Sequence, residues 1–138
     1  MKKLLLLISL LALSKVACAQ ITLEDLTRHS WMSDVKTSES CEIPPLISFT
    51  SDMKLSGEPG CNNLVGEFFI GEKDQFSFTH LGLTKRLCAK AYMQQESQFM
   101  AMLEQTAYAK KQDGKIHLLD QNKRPLGVLV PEKASACQ

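Results

Sequence analysis

A change of hydrophobic period near residue 85 constrains this chain more than any other feature. From Gln75 to Thr84 the residues alternate, with Phe76 and Phe78 in phase at a spacing of two, which is the pattern of a half-buried strand. Between Ala89 and Ala107 the period changes, and Met93, Glu96, Met100, Leu103 and Ala107 recur at spacings of three and four with Phe99 alongside. That stretch is expected to form one amphipathic helix of about fifteen to eighteen residues. On its N-terminal side, Ile21 to Trp31 can make a helical turn before a strand from Trp31 to Val35. Pro44-Pro45 then opens an apolar run, Leu46, Ile47 and Phe49, expected as an edge strand because proline cannot donate to a ladder. Ser51-Asp52 turns the chain into Met53 to Ser56, Gly57, Pro59 and Gly60 break it, and Leu64 to Ile70 follows with Val65 and Phe69 on one side. Gly71 to Asp74 is the turn into the alternating strand.

Beyond the helix, Gln112-Asp113-Gly114 is expected to end the helical region. Ile116 and Leu118, then Leu126, Val128 and Val130, make a hairpin around an Asp120 to Arg124 turn. Strands, one long helix and a hairpin add up to an α+β fold. The expected form is an antiparallel, partly open, barrel-like sheet with one long amphipathic helix packed on it.

The N-terminus carries Lys2 and Lys3 before an apolar run from Leu4 to Leu13 that is short for a bilayer span, the form of a signal peptide. Ala17 and Ala19 supply an A-x-A site, so residues 1–19 are expected to be removed, leaving 20–138 as a single domain in the periplasm or secreted. The competing route is lipidation at Cys18 and anchoring in the outer membrane. Lys15 opposes it, since it stands where a lipoprotein signal carries an aliphatic residue.

Either route takes Cys18 out of the thiol pool and leaves Cys41, Cys61, Cys88 and Cys137. An even count in a short exported chain predicts two disulfides. There is no Cys-x-x-Cys pair, and His29, His80 and His117 lie apart, so no metal and no cofactor are expected. Removing the three leader lysines from 16 basic residues against 15 acidic ones leaves a slightly acidic domain. Without a basic cluster, nucleic acid is excluded as a partner. No second apolar segment is long enough to cross a membrane.

Leu55-Ser56-Gly57-Glu58-Pro59-Gly60-Cys61-Asn62-Asn63, with Gly66 three residues on, closely resembles the S-G-x-x-G-C-N-x-x-x-G signature of the META domain. Phe78, Leu81 and Leu83, then Thr84 to Cys88 as T-x-x-x-C, then Glu96, Phe99 and Leu103 follow in the family's order. Trp31 and Pro45-x-x-x-Phe49 match its opening, and Leu118 and Leu126 its ending, so the resemblance spans about Leu26 to Val130. Cys41, Cys137, the Lys-Arg pair within T-K-R-L-C and the short span between Trp31 and Pro44 depart from the pattern. The resemblance implies an antiparallel, partly open barrel with a packed helix, in bacterial envelope proteins similar to the heat-inducible HslJ. Those proteins are associated with stress and with tolerance of an antibiotic, without a settled biochemical activity.

The motif residues invite sharper readings, each with a plainer rival. Gly57, Gly60 and Asn62 would suit a ligand-gripping loop, but no phosphate-loop Lys or Ser/Thr follows. They are read instead as supplying positive φ at a tight turn, with Asn62 capping its own backbone. Four cysteines allow three connectivities, and Cys61–Cys88 with Cys41–Cys137 is the pairing expected, because the first ties the helix start to the Gly-Cys-Asn turn. A closed loop of that size contributes roughly 3 kcal/mol. Glu96 within the helix stripe has the chemistry of an acid or base. Its plainer role is an ion pair with Lys85 or Arg86, or simply the edge of the stripe, because no second carboxylate, histidine or nucleophile is marked as its partner. Ser56 and Ser77 belong to no triad. Met93, Met100 and Met102 read as core filling, although a cleft for an apolar ligand under the helix stays open as an alternative.

Taken together, the chain is read as a non-enzymatic envelope protein that works through protein contacts or an apolar small molecule. A pilot-like or inhibitor-like module using an exposed sheet edge is the alternative. An unpaired thiol at Cys61 or Cys88 would revive an enzymatic reading.

Overall fold

A computed structural model describes residues 19–34 and 43–133. In chain order these form α1 (Leu23–Thr27), β1 (Trp31–Ser33), β2 (Leu46–Phe49), β3 (Lys54–Glu58), β4 (Leu64–Ile70), β5 (Phe76–Leu83), α2 (Lys90–Gln105), β6 (Tyr108–Gln112), β7 (Lys115–Leu119) and β8 (Pro125–Pro131). The eight strands make one antiparallel sheet in the order β5-β4-β3-β2-β1-β8-β7-β6. Its two ends touch through a bridge between Gln75 and Tyr108, with Phe76 N–H donating to the Ala107 carbonyl and Ala109 N–H to that of Asp74, each at 3.0 Å. The sheet is therefore a curled half-barrel, and α2 packs against β5 and β8.

Alternation along each strand sends one set of side chains inward. Ile47, Phe49, Leu55, Leu64, Phe68, Phe76, Phe78, Ile116, Leu118 and Leu129 are buried together, and Phe99 and Leu103 of α2 join them. Phe49 sits at the centre of an aromatic cluster, edge-on to Phe68 at 5.0 Å and to Phe76 at 6.5 Å. Trp31 is buried, and its indole N–H donates to the Leu26 carbonyl at 2.9 Å, fixing α1 to the start of β1. Thr22 and Asp25 form a reciprocal capping box on α1.

Two sequence expectations change, and a third is completed. The run after Pro44-Pro45 is an interior strand, because β2 lies between β1 and β3 with Trp31 opposite Ile47 and Ile47 opposite Gly57. Both prolines precede the ladder, and Pro45 takes part only as an acceptor, from Ser33 N–H at 2.9 Å. Val65 and Phe69 do share a side of β4, but it is the outer one, since Leu64 and Phe68 fill the core. Asp113-Gly114, expected to end the helical region, is instead a hairpin turn with φ of 52° and 73°. It joins β7 to an unanticipated strand, β6, and α2 has already stopped at Gln105.

Candidate functional site

The motif residues converge where the β3–β4 turn, the Thr84–Ala89 segment and the first turns of α2 meet. Gly57 lies within β3 and pairs with Ile47 and Leu64. Gly60 lies in the turn, and neither glycine has positive φ. The expectation of a left-handed turn is thus corrected, and what these positions require is space. A Cβ on Gly57 would run into the Leu46 carbonyl oxygen. One on Gly60 would run into the Tyr92 carbonyl oxygen and stand 2.9 Å from the Glu96 nitrogen. Gly66 sits at the β4 bulge, where a Cβ would meet Leu81 at 2.7 Å. Gly60→Ala is expected to lower stability by about 1–3 kcal/mol, since α2 must move away, and urea unfolding of the two proteins measures it.

This close approach lets Glu96 reach across from α2. Its carboxylate is buried, and it accepts from Cys61 N–H at 3.0 Å, Asn62 N–H at 2.6 Å and the Asn62 side-chain amide at 2.8 Å. Burial alone pushes this carboxyl's pKa up. The Asn62 amide, the two backbone N–H groups and the charge of Arg86 together more than reverse that, and the group titrates below the usual carboxylate value. Glu96 is thus a backbone anchor: it makes no ion pair with Lys85 or Arg86 among the described residues, and it lacks the raised pKa of a catalytic acid.

Asn62, the other buried polar group here, does not cap its own backbone. Its side-chain oxygen accepts from Arg86 N–H at 2.6 Å and from the Thr84 hydroxyl at 3.2 Å. Thr84 Oγ1 in turn accepts from Asn63 N–H at 2.9 Å, and the Arg86 guanidinium donates to the Asn63 side-chain oxygen at 3.1 Å. Cys61 and Cys88 are joined in a disulfide, with their Cα atoms 5.8 Å apart. Residues 84–88 are therefore strapped to the turn, and the start of α2 is set by this strap, since Ala89 makes no side-chain cap and the first turn holds no acid. The Gly-Cys-Asn and T-x-x-x-C spacings marked these residues. Nothing in the order of residues marked the Asn62-to-Arg86 backbone bond. The Cys41–Cys137 pairing lies outside the described residues.

No group of three or more His, Cys, Asp or Glu among the described residues is arranged to hold a metal ion, and no described helix is long and apolar enough to cross a membrane. Met100 and Met102 pack against the core, Met102 beside Gly127. A groove of about 470 Å³ lies on the outer face of β2, β3 and β4, lined by Ser48, Ser56, Glu58, Asn63, Val65 and Glu132 among others, with none of the three methionines in its lining.

The fold recurs in solved structures. Two structures determined by NMR superpose with TM-scores of 0.63 and 0.64. The first is 23% identical and is covered completely, over 86% of this chain; the second, a protein from Burkholderia xenovorans, is 18% identical, with 94% of its length and 87% of this chain covered. A crystal structure of a DUF4847 family protein from Bacteroides vulgatus is 16% identical, with a TM-score of 0.51 over 65% of this chain and 60% of the other. No curated protein matches the sequence significantly. The META domain profile matches residues 22–133, a span that holds the glycine turn, Asn62, Thr84 and Glu96. The chain belongs to the META domain family.

Proposed function

We propose that this META domain is an exported, non-catalytic envelope protein, of the kind that serves tolerance of stress or of an antibiotic, and that it works by contact with other proteins. One observation carries the reading. Glu96, the carboxylate that the motif places most deeply, has both oxygens occupied by the Cys61–Asn62 backbone and side chain, so the motif builds a rigid end to the barrel rather than a reactive centre. One further feature favours contact over an apolar ligand: phenylalanines pack the barrel interior. Capture of a partner strand by the edge of β5 has less support, because His80 has φ of 50° and β4 bulges between Val65 and Glu67, devices that turn an edge away from pairing.

The test is native and non-reducing mass spectrometry on the protein exported to its own envelope and purified without detergent. A chain starting at Gln20, four hydrogens lighter than the reduced form and retaining a protein partner, is the expected result. A diacylglyceryl mass on Cys18 would overturn the unanchored form, free thiols the disulfide framework, and a solvent-strippable apolar adduct with no partner the contact mechanism.

A further inference from the structure

The strapped segment has a second face. Its attachments fall on alternate residues: Thr84 N–H donates to the Asn63 carbonyl at 3.1 Å, Arg86 N–H to Asn62 Oδ1 at 2.6 Å, and Cys88 is bonded to Cys61. Ala89, at the end of the segment, is extended with φ −57° and ψ 149° before α2 begins. In an extended chain, backbone groups of successive residues point to opposite edges. With Thr84 and Arg86 turned to the β3–β4 turn, the backbones of Lys85 and Leu87 face away from it, and among the described residues nothing bonds to them. Leu87 is 94% exposed, the largest value among the exposed apolar side chains. A lone exposed leucine is ordinary on a surface. A leucine on a segment tied down at three alternate residues, twice by backbone N–H and once by a disulfide, is preorganised, and such preorganisation removes much of the ordering cost of binding.

We propose that Lys85–Ala89 is a substrate-like loop that places Leu87 in the primary specificity pocket of an endopeptidase cleaving after large apolar residues, and so inhibits it. This rests on the contact reading above and names the class of partner. An endopeptidase cleft pairs with an extended chain through alternate backbone groups, and here those of Leu87 and Lys85 are the free ones. The disulfide explains why such a loop resists being consumed. If water adds across the Leu87–Cys88 amide, giving a Leu87 carboxyl and a Cys88 amine, Asn62 still holds Arg86 and Cys61 still holds Cys88, so both new ends stay in place.

A membrane surface is the rival occupant for an exposed leucine beside Lys85, Arg86 and Lys90, and two observations weigh against it. The domain is slightly acidic once the leader lysines are gone. The loop also lies at the Leu64–Leu83 end of the β4–β5 hairpin, about 20 Å along the strands from Gly71, where the Gln20 side chain bonds the Gly71 carbonyl. A tether at the N-terminal stretch would point the loop away from the surface that holds it.

The experiment uses the full mature chain with its disulfides intact and chymotrypsin as the probe, assayed on a small chromogenic peptide. Expected are inhibition at micromolar concentrations or below and slow or no cleavage at Leu87. Leu87→Gly should weaken inhibition by about 100-fold at an unchanged thermal midpoint, and Lys85→Ala by about tenfold or less. Reduction should turn the inhibitor into a substrate. Rapid cleavage after Leu87 without inhibition, or inhibition indifferent to Leu87→Gly, overturns the proposal. So does Leu87-dependent binding to phosphatidylglycerol vesicles with chymotrypsin unaffected. Retention of an envelope protein by both the wild type and Leu87→Gly would leave the contact reading standing while this inference fails.

Discussion

Replacing Glu96 by alanine is expected to lower the free energy of unfolding by about 4 kcal/mol, read as a shift of the urea midpoint at constant slope. The substitution removes the one acceptor shared by Cys61 N–H, Asn62 N–H and the Asn62 side-chain amide, and it leaves those donors on buried residues. Hydrogen bonds to a charged partner contribute about 1.5–3 kcal/mol each, and orphaned buried donors cost about 1–3 kcal/mol. A loss below about 1 kcal/mol would mean that the turn holds itself without the helix. Glu96→Gln separates charge from shape. Because the folded-state pKa of Glu96 lies below its ordinary value of 4.5, its ionised form contributes stability that is fully present above that value and is lost as pH falls through the folded pKa. The Gln variant should therefore be less stable than wild type at neutral pH and approach it on acidification. Asp25, held low mainly by its bond from Lys111, and Asp120, held low mainly by the Arg124 backbone N–H, titrate in the same direction in both proteins and cancel from the difference.

The second large effect is expected from the strap. Opening the Cys61–Cys88 bond by a double replacement with alanine should cost about 3–4 kcal/mol, the loop-closure contribution for residues 27 apart. The cysteine pair and Glu96 both hold Cys61, so their losses should not add. A double-mutant cycle combining the alanine pair with Glu96→Gln should show a coupling of about 1 kcal/mol or more. Additive losses would place the two devices in independent parts of the structure. Hydrogen exchange should show the amides of Cys61, Asn62 and Arg86 losing protection first in the disulfide-free variant, ahead of the β7–β8 hairpin.

Much of the architecture was legible in the order of residues wherever one period dominated. Phe76 and Phe78 at spacing two, and Glu96, Phe99 and Leu103 at helical spacing, mark elements whose buried faces are those seen. The β6 strand was not legible, because Tyr108–Gln112 carries two lysines and a glutamine with only Ala109 fully buried, and its place in the sheet comes from pairing with β7 across Asp113-Gly114. The interior position of β2 was hidden for a related reason: proline next to a strand suggests an edge, and only the ladder shows that the prolines stop short of it.

At the site, the composition of the motif determined which residues matter, and the tertiary structure decided what they do. Glycines at 57 and 60 announce a backbone that needs either unusual dihedrals or unusual proximity, and these alternatives look identical in a sequence. Proximity wins here because α2 and β2 approach to within the volume of a methyl group. A glutamate in an apolar stripe likewise announces a partner without naming it. That partner is a stretch of backbone and an asparagine 34 residues away, whose bonds depend on where chain segments cross, and backbone hydrogen-bonding groups, present at every residue, leave no mark in composition.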